Sequence, residues 1–201
     1  MKISRWWISI ALLPLLLWPL HPAHTQATSN MRMGNAMAGS DQPIVFYVTI
    51  KGARQGVFKG EVSGANHRDQ IAGLRFSFQG TAAHDTATGQ ATGKRQYSVV
   101  LFTKEWGAAS PQLLTAMATN EVLQSVDFEF VRSNPLGKEY VFETVKLTQA
   151  TITSFRQYQG VPGDGDPADT RPLEDVSVTF RKIEIVNNEA KTTFNDDWTS
   201  P

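Results

Sequence analysis

The residues able to do chemistry in this chain are few and scattered. There is no cysteine, which excludes disulfides, thiolate metal sites and a cysteine nucleophile. Of the four histidines, His21 and His24 lie in an apolar N-terminal segment, and His67 and His84 lie in loops. Neither loop histidine has a second histidine or a carboxylate at the spacing that metal sites use, so both read as solvated side chains. Asp164, Asp166 and Asp169 gather oxygens of the kind a hard cation prefers. They lack the alternating ligand spacing of a calcium loop, and Pro167 interrupts them, so the segment reads as an acidic, solvated turn. No G-x-S-x-G elbow, phosphate loop or dinucleotide fingerprint stands at a strand-to-helix junction. The sequence assigns no catalytic residue, no metal ligand and no cofactor, and it points to a protein that binds or assembles rather than one that catalyses.

Charge does not choose the partner. Lysine plus arginine equals aspartate plus glutamate, 19 against 19, so no global field draws the chain to nucleic acid or acidic lipid. Lys94, Arg95 and Lys104 are too few for the basic, aromatic-interleaved stripe of a nucleic-acid binder. Asp127 and Glu129 alternate outward on one strand and read as surface charge on a solvated or partner-facing sheet.

At the N-terminus, Lys2 and Arg5 precede an apolar run from Trp6 to Leu20 that is interrupted by Pro14 and Pro19. This is the pattern of an export signal. The run is shorter than the roughly 20 residues a spanning helix needs, so the mature form is expected to carry no stable membrane anchor. Cleavage is expected after Ala27, with Ala23-His24-Thr25 as a weaker rival site. Met31, Met33 and Met37 are alternative internal starts.

The elements that must position any surface are β-strands. After a polar lead-in at 28–42, a domain at 43–190 carries β-type runs at 44–50, 71–79, 94–106, 121–132, 138–147, 150–158 and 174–186, with a tail at 191–201. Between 122 and 132 the apolar and polar positions alternate with period two, placing Val122, Gln124, Val126, Phe128 and Phe130 on one face. In the last run Val176, Val178 and Phe180 share a face before the apolar parity shifts to Ile183 and Ile185. A bulge near Arg181 and Lys182, bending the strand around a barrel corner, reconciles the two halves. One short helix is predicted, with Ser110 as N-cap, Pro111 at the first helical position, and Leu113, Leu114 and Met117 at helical spacing. The residues at 133–137 form a tight hairpin connection. Two loops, 80–93 and 160–172, are long for a compact domain, and the sequence leaves open whether each is a docking arm or disordered. The fold class is all-β with one short helix, a sandwich or barrel of packed antiparallel sheets.

The stretch TGKRQYSVVLFTKEWGAASPQLLTAMATNEVLQSVDFEFVR at 92–132 resembles the centre of the Hcp family, the haemolysin-coregulated tube proteins of type VI secretion. A basic strand leads through Lys104 and a Ser-Pro-x-Leu element ending at Leu113 into the small helix, and the next strand ends at the basic Arg132. The likeness continues at 45–61, 74–79, 140–155 and 172–185, across essentially the whole mature domain. It implies a small β-barrel with a flanking helix that assembles into six-membered rings, which stack into a tube and carry effector cargo or meet a spike protein. The loop at 80–93 falls where the family carries an extended arm reaching a neighbouring ring. His84, Asp85 and Thr86 in it, with Lys94 and Arg95 beside it, are the assembly residues the resemblance implies. One feature departs from the family: its tube subunits are similar in lacking a cleaved export signal. A misassigned start, an exported form that assembles beyond the inner membrane, and an exported binding module that reuses the fold without building a tube would each reconcile the two.

Overall fold

The structure is a computed structural model and describes residues 46–159 and 171–198. The export-signal residues Lys2, Arg5 and Ala27, the lead-in at 28–42 and the acidic turn at Asp164–Asp169 lie outside the described residues.

In chain order the elements are β1 (Phe46–Gly52), β2 (Gly56–Val57), β3 (Ile71–Gly73), β4 (Arg75–Ser77), β5 (Gly80–Thr81), β6 (Gln96–Tyr97), β7 (Val100–Glu105), α1 (Ser110–Ala118), β8 (Leu123–Ser133), β9 (Glu139–Gln159), β10 (Pro172–Thr179), β11 (Lys182–Asn187) and β12 (Thr192–Asp197). All pairings are antiparallel, and the main ladder runs β2-β1-β8-β9-β10-β7-β4. The two ends of this ladder meet through a single segment. β3 pairs with β1 while β4 pairs with β7, and Leu74 between them donates its N–H to the Thr103 carbonyl at 2.8 Å. One bent run therefore joins the two sheets into a barrel-like wrap without a continuous ladder. The expected run at 71–79 is two short strands because it must change sheets.

The runs expected at 138–147 and 150–158 are one 21-residue strand, β9. Gln149 takes a positive φ of 50°, and the inward parity moves there from Val145 and Leu147 to Ala150 and Ile152. Opposite it, β10 gives way to β11 across Phe180 and Arg181, with the Arg181 N–H shared between the Thr148 and Gln149 carbonyls. The parity switch expected near Arg181 and Lys182 is thus a corner that both partners turn together. The sequence places 191–201 in a tail, but Thr192–Asp197 extend the sheet as β12 on β11.

The parity of β8 differs from the sequence expectation at its start. The ladder to β1 shifts register so that Gln124 has no partner between Ser125 and Leu123. This bulge turns Leu123 into the core and leaves Val122 and Gln124 exposed. Beyond it Val126 and Phe128 point inward as expected.

The core is one cluster, centred on rings from β1, β7 and β8: Phe46, Phe102 and Phe128. Gly73 belongs to it by necessity, because a Cβ there would sit 2.0 Å from Phe46 Cε2. The helix packs through Leu113 and Ala116, while Leu114 is exposed. Its N-cap is Ala109 rather than Ser110. The Ser110 hydroxyl is instead engaged in a buried network described below.

Candidate assembly surface

The loop at 80–93 is a hairpin arm. Its base is the β5–β6 pair, and further out His84 bridges Ala91. The tip is closed by Asp85, whose Oδ1 accepts the backbone N–H groups of Ala87 and Thr88, each at 2.8 Å, and the Thr88 hydroxyl. This is the local side-chain turn that aspartate favours. The Thr88 and Ala87 N–H groups hold the Asp85 carboxyl below its ordinary range, so the tip carries a negative charge. His84 Nδ1 lies 3.3 Å from the Ala82 carbonyl, and Thr86 is exposed at the turn.

Lys94 and Arg95 stand at the arm's root, and among the described residues only Arg95 of the two is tied down by an ion pair. Its guanidinium makes a two-pronged ion pair with Asp196 of β12, and the Tyr97 hydroxyl donates to the same carboxylate. Hydrogen bonds from Arg95 and Tyr97 hold the Asp196 carboxyl below its usual range. Beside this clamp Lys94, Arg95, Tyr97 and Trp198 line a surface pocket of about 200 Å³.

Lys104, the basic residue at the head of the Ser-Pro-x-Leu element, is inside the protein. It faces Glu174 directly across the β7–β10 ladder, and both side chains are 0% exposed. The Lys104 Nζ lies 3.1 Å from Glu174 Oε1, the Ser110 hydroxyl donates to the same oxygen at 3.0 Å, and Gln157 Nε2 donates to Glu174 Oε2 at 3.0 Å. Ser110 in turn accepts the Gly107 N–H at 2.9 Å. The element therefore fastens α1 to the barrel wall through a fully partnered buried charge, which is the condition for a charge to persist there. Glu61 Oε1 stands 3.9 Å from Nζ. Burial raises the Glu61 carboxyl above its ordinary range, against the pull of Lys104.

A second fastening was not foreseen from sequence. Glu121, three residues after the end of α1, is buried, and its Oε1 accepts the N–H groups of Arg54 and Gln55 at 2.6 and 2.9 Å in the β1–β2 turn. Burial would raise this carboxyl. The Gln55 and Arg54 N–H bonds and the Arg54 charge outweigh it, and the net shift is downward from 4.5. A lowered carboxyl contributes stability above its ordinary value that is lost as pH falls through the folded value. Glu121→Gln is accordingly expected to flatten the loss of stability as pH falls from neutral to below 4.5, read from urea midpoints across that fall; an unchanged slope would refute this role.

His67 corrects the expectation of a solvated loop histidine. Its ring stacks on Tyr47 with centroids 3.7 Å apart and planes 8° from parallel. Nε2 lies 2.8 Å from Glu139 Oε1, and Nδ1 faces Gln70 Oε1. This fastens the loop before β3 to β1 and β9. On the outward sheet face, Asp127 pairs loosely with Lys146 at 3.7 Å, as a surface charge should. Among the described residues no group of three or more His, Cys, Asp or Glu side chains is placed to hold a metal ion.

Fold and surface together define an antiparallel, barrel-like β-fold with a docked helix and a projecting arm, held by buried polar ties and without an assembled catalytic constellation among the described residues. The chain belongs to the Hcp family: the family model described as "Type VI secretion system effector, Hcp" matches residues 47–186. A curated relative named "Major exported protein", from Pseudomonas aeruginosa, is 31% identical over 164 residues, covering 77% of this chain and 95% of the relative. Among solved structures, one described as an Hcp protein superposes with a TM-score of 0.70 at 26% identity, covering 78% of this chain and 99% of that one. The secreted protein Hcp3 of Pseudomonas aeruginosa does so with a TM-score of 0.60 at 27% identity, covering 76% and 99%.

Proposed function

We propose that this chain is a ring-forming structural subunit of a type VI secretion apparatus, acting as a tube subunit or a secreted effector carrier. The observation that carries the reading is the family match over residues 47–186, which takes in the barrel, the helix and the whole arm. A subunit of a closed ring needs two different complementary patches, because like patches close only a dimer. Exposed strand edges and the arm supply unlike surfaces on one subunit. Its partners are copies of itself in a hexamer, stacked rings, and effector cargo or a spike protein; no nucleic acid and no cofactor enter. The role is mechanical.

The chain is exported, in keeping with the relative named for that property. Lys2, Arg5 and the apolar run after them act as its signal, with Thr28 as the first mature residue. Edman sequencing of the protein recovered from its own cell fractions tests this; an intact Met1 in every fraction would count against it.

Light scattering of the protein is expected to give a particle of ring mass. A monomer that persists at the highest soluble concentration would overturn the assembly reading.

A further inference from the structure

The arm has nothing of its own to fix its direction. Its strands β5 and β6 are two residues each, the His84–Ala91 bridge is isolated, and nearly all its residues are exposed. A ribbon so short is marginal alone. Its root rests on the Tyr97 ring, which packs on Phe78 and Phe180, and is met by the C-terminal strand, about a hundred residues away in sequence. Asp196 receives both prongs of the Arg95 guanidinium and the Tyr97 hydroxyl, although its own side chain is only 10% exposed. Arg95 Nη2 also reaches the Asp197 carbonyl at 3.3 Å. Tyr97 packs edge-on against Trp198, with centroids 5.9 Å apart, and Trp198 packs against Phe180. Trp198 is in turn fixed by its N–H to the Arg181 carbonyl at 3.0 Å, at the corner where β10 becomes β11. The chain of contacts from barrel corner to arm is therefore short: Arg181, Trp198, Asp196, then Arg95 and Tyr97.

We infer that β12 is a clamp that sets the direction of the arm, with Asp196 as its positioning residue, so that the C-terminal strand belongs to the assembly machinery. A planar guanidinium held by both carboxylate oxygens fixes an angle as well as a distance. A single lysine contact would leave the root free to swivel. In the assembly reading, on which the strand's place in assembly and the stacking consequence both rest, an arm that swivels must be ordered anew at each ring-to-ring contact, and that ordering opposes stacking.

The test uses the full chain with Asp196→Asn, Arg95→Gln, and the reversed pair Arg95→Asp with Asp196→Arg. Amide hydrogen exchange at Asp85, Gly89 and Thr92, whose N–H groups close the arm, is compared with exchange at β8. The single variants are expected to speed exchange in the arm at least tenfold while leaving β8 within twofold, and the reversed pair is expected to restore slow exchange. Arm exchange unchanged within twofold in both single variants overturns the clamp, and so does acceleration spread equally over β8. Wild type and variants are compared at a concentration where all are in the same unstacked state, so the readout stands if rings fail to form. Where they form, electron microscopy is expected to show single rings of normal size and shortened stacks for both single variants. Stacks of wild-type length would overturn the link from clamp to stacking.

Discussion

Replacing Lys104 by methionine is expected to remove about 3–5 kcal/mol from the unfolding free energy, the usual cost of leaving one member of a buried ion pair without its partner. Glu174 is 0% exposed and cannot turn to water. In the variant its carboxylate keeps the Ser110 hydroxyl and the Gln157 amide but is left buried without its counter-charge. The double variant Lys104→Met with Glu174→Leu removes the orphaned charge and is expected to recover a substantial part of the loss. Recovery stops short of wild type because Ser110 and Gln157 then lose their acceptor. Urea midpoints at constant m decide it. A single-variant loss under about 1 kcal/mol would mean the pair behaves like an exposed one. Ser110, which opens α1, bonds to the same carboxylate, so amide exchange in the helix is expected to speed up more than in β9 in the single variant.

This pair also shows what sequence pattern can and cannot convey. Val176, Val178 and Phe180 were legible as an inward face, and Glu174 stands on the same parity; Val100, Phe102 and Lys104 repeat the arrangement on the partner strand. A carboxylate and an ammonium on two inward faces are a signal that they meet, but only the register, Glu174 opposite Lys104, makes them a pair. The strands, the single helix and the corner at Arg181 were legible for the simpler reason that period and turn chemistry are local. The joining of two runs into β9 was not, because Gln149 at positive φ carries the strand through a change of parity that period-two counting reads as a break. The bulge at Gln124 hid Leu123 in the same way. Within the candidate assembly surface, Lys94, Arg95 and the arm tip were proposed from resemblance, whereas Asp196 was not: its partners are about a hundred residues away, and a charged, polar C-terminus reads as a tail. His67 was misread because its burial comes from Tyr47 and Glu139, which no local pattern brings to it.

Phe128→Ala carries the other large effect, an expected loss of about 3–5 kcal/mol for truncating a fully buried phenylalanine. The side chain is 0% exposed and sits where three strands' rings converge: Phe46 at 5.8 Å, Phe76 at 5.1 Å and Phe102 at 5.6 Å between centroids. Phe46 belongs to β1, Phe76 to β4 and Phe102 to β7, so the cavity opens at the seam where the 71–77 segment carries the chain between the two sheets. Neighbouring rings cannot collapse into it without moving that seam, which places the cost toward the upper end of the range for its type. Phe130, two residues on and only half-buried, marks the control: Phe130→Ala is expected to lose distinctly less. The two are compared by chemical denaturation at one protein concentration, because any self-association takes up only folded subunits and would otherwise mask the difference by mass action. Equal losses would show that the seam relaxes freely. In the proposed ring, a larger loss for Phe128 is expected to raise the subunit concentration at which Phe128→Ala rings dissociate above that of Phe130→Ala, since each unfolded subunit is withdrawn from the assembly equilibrium.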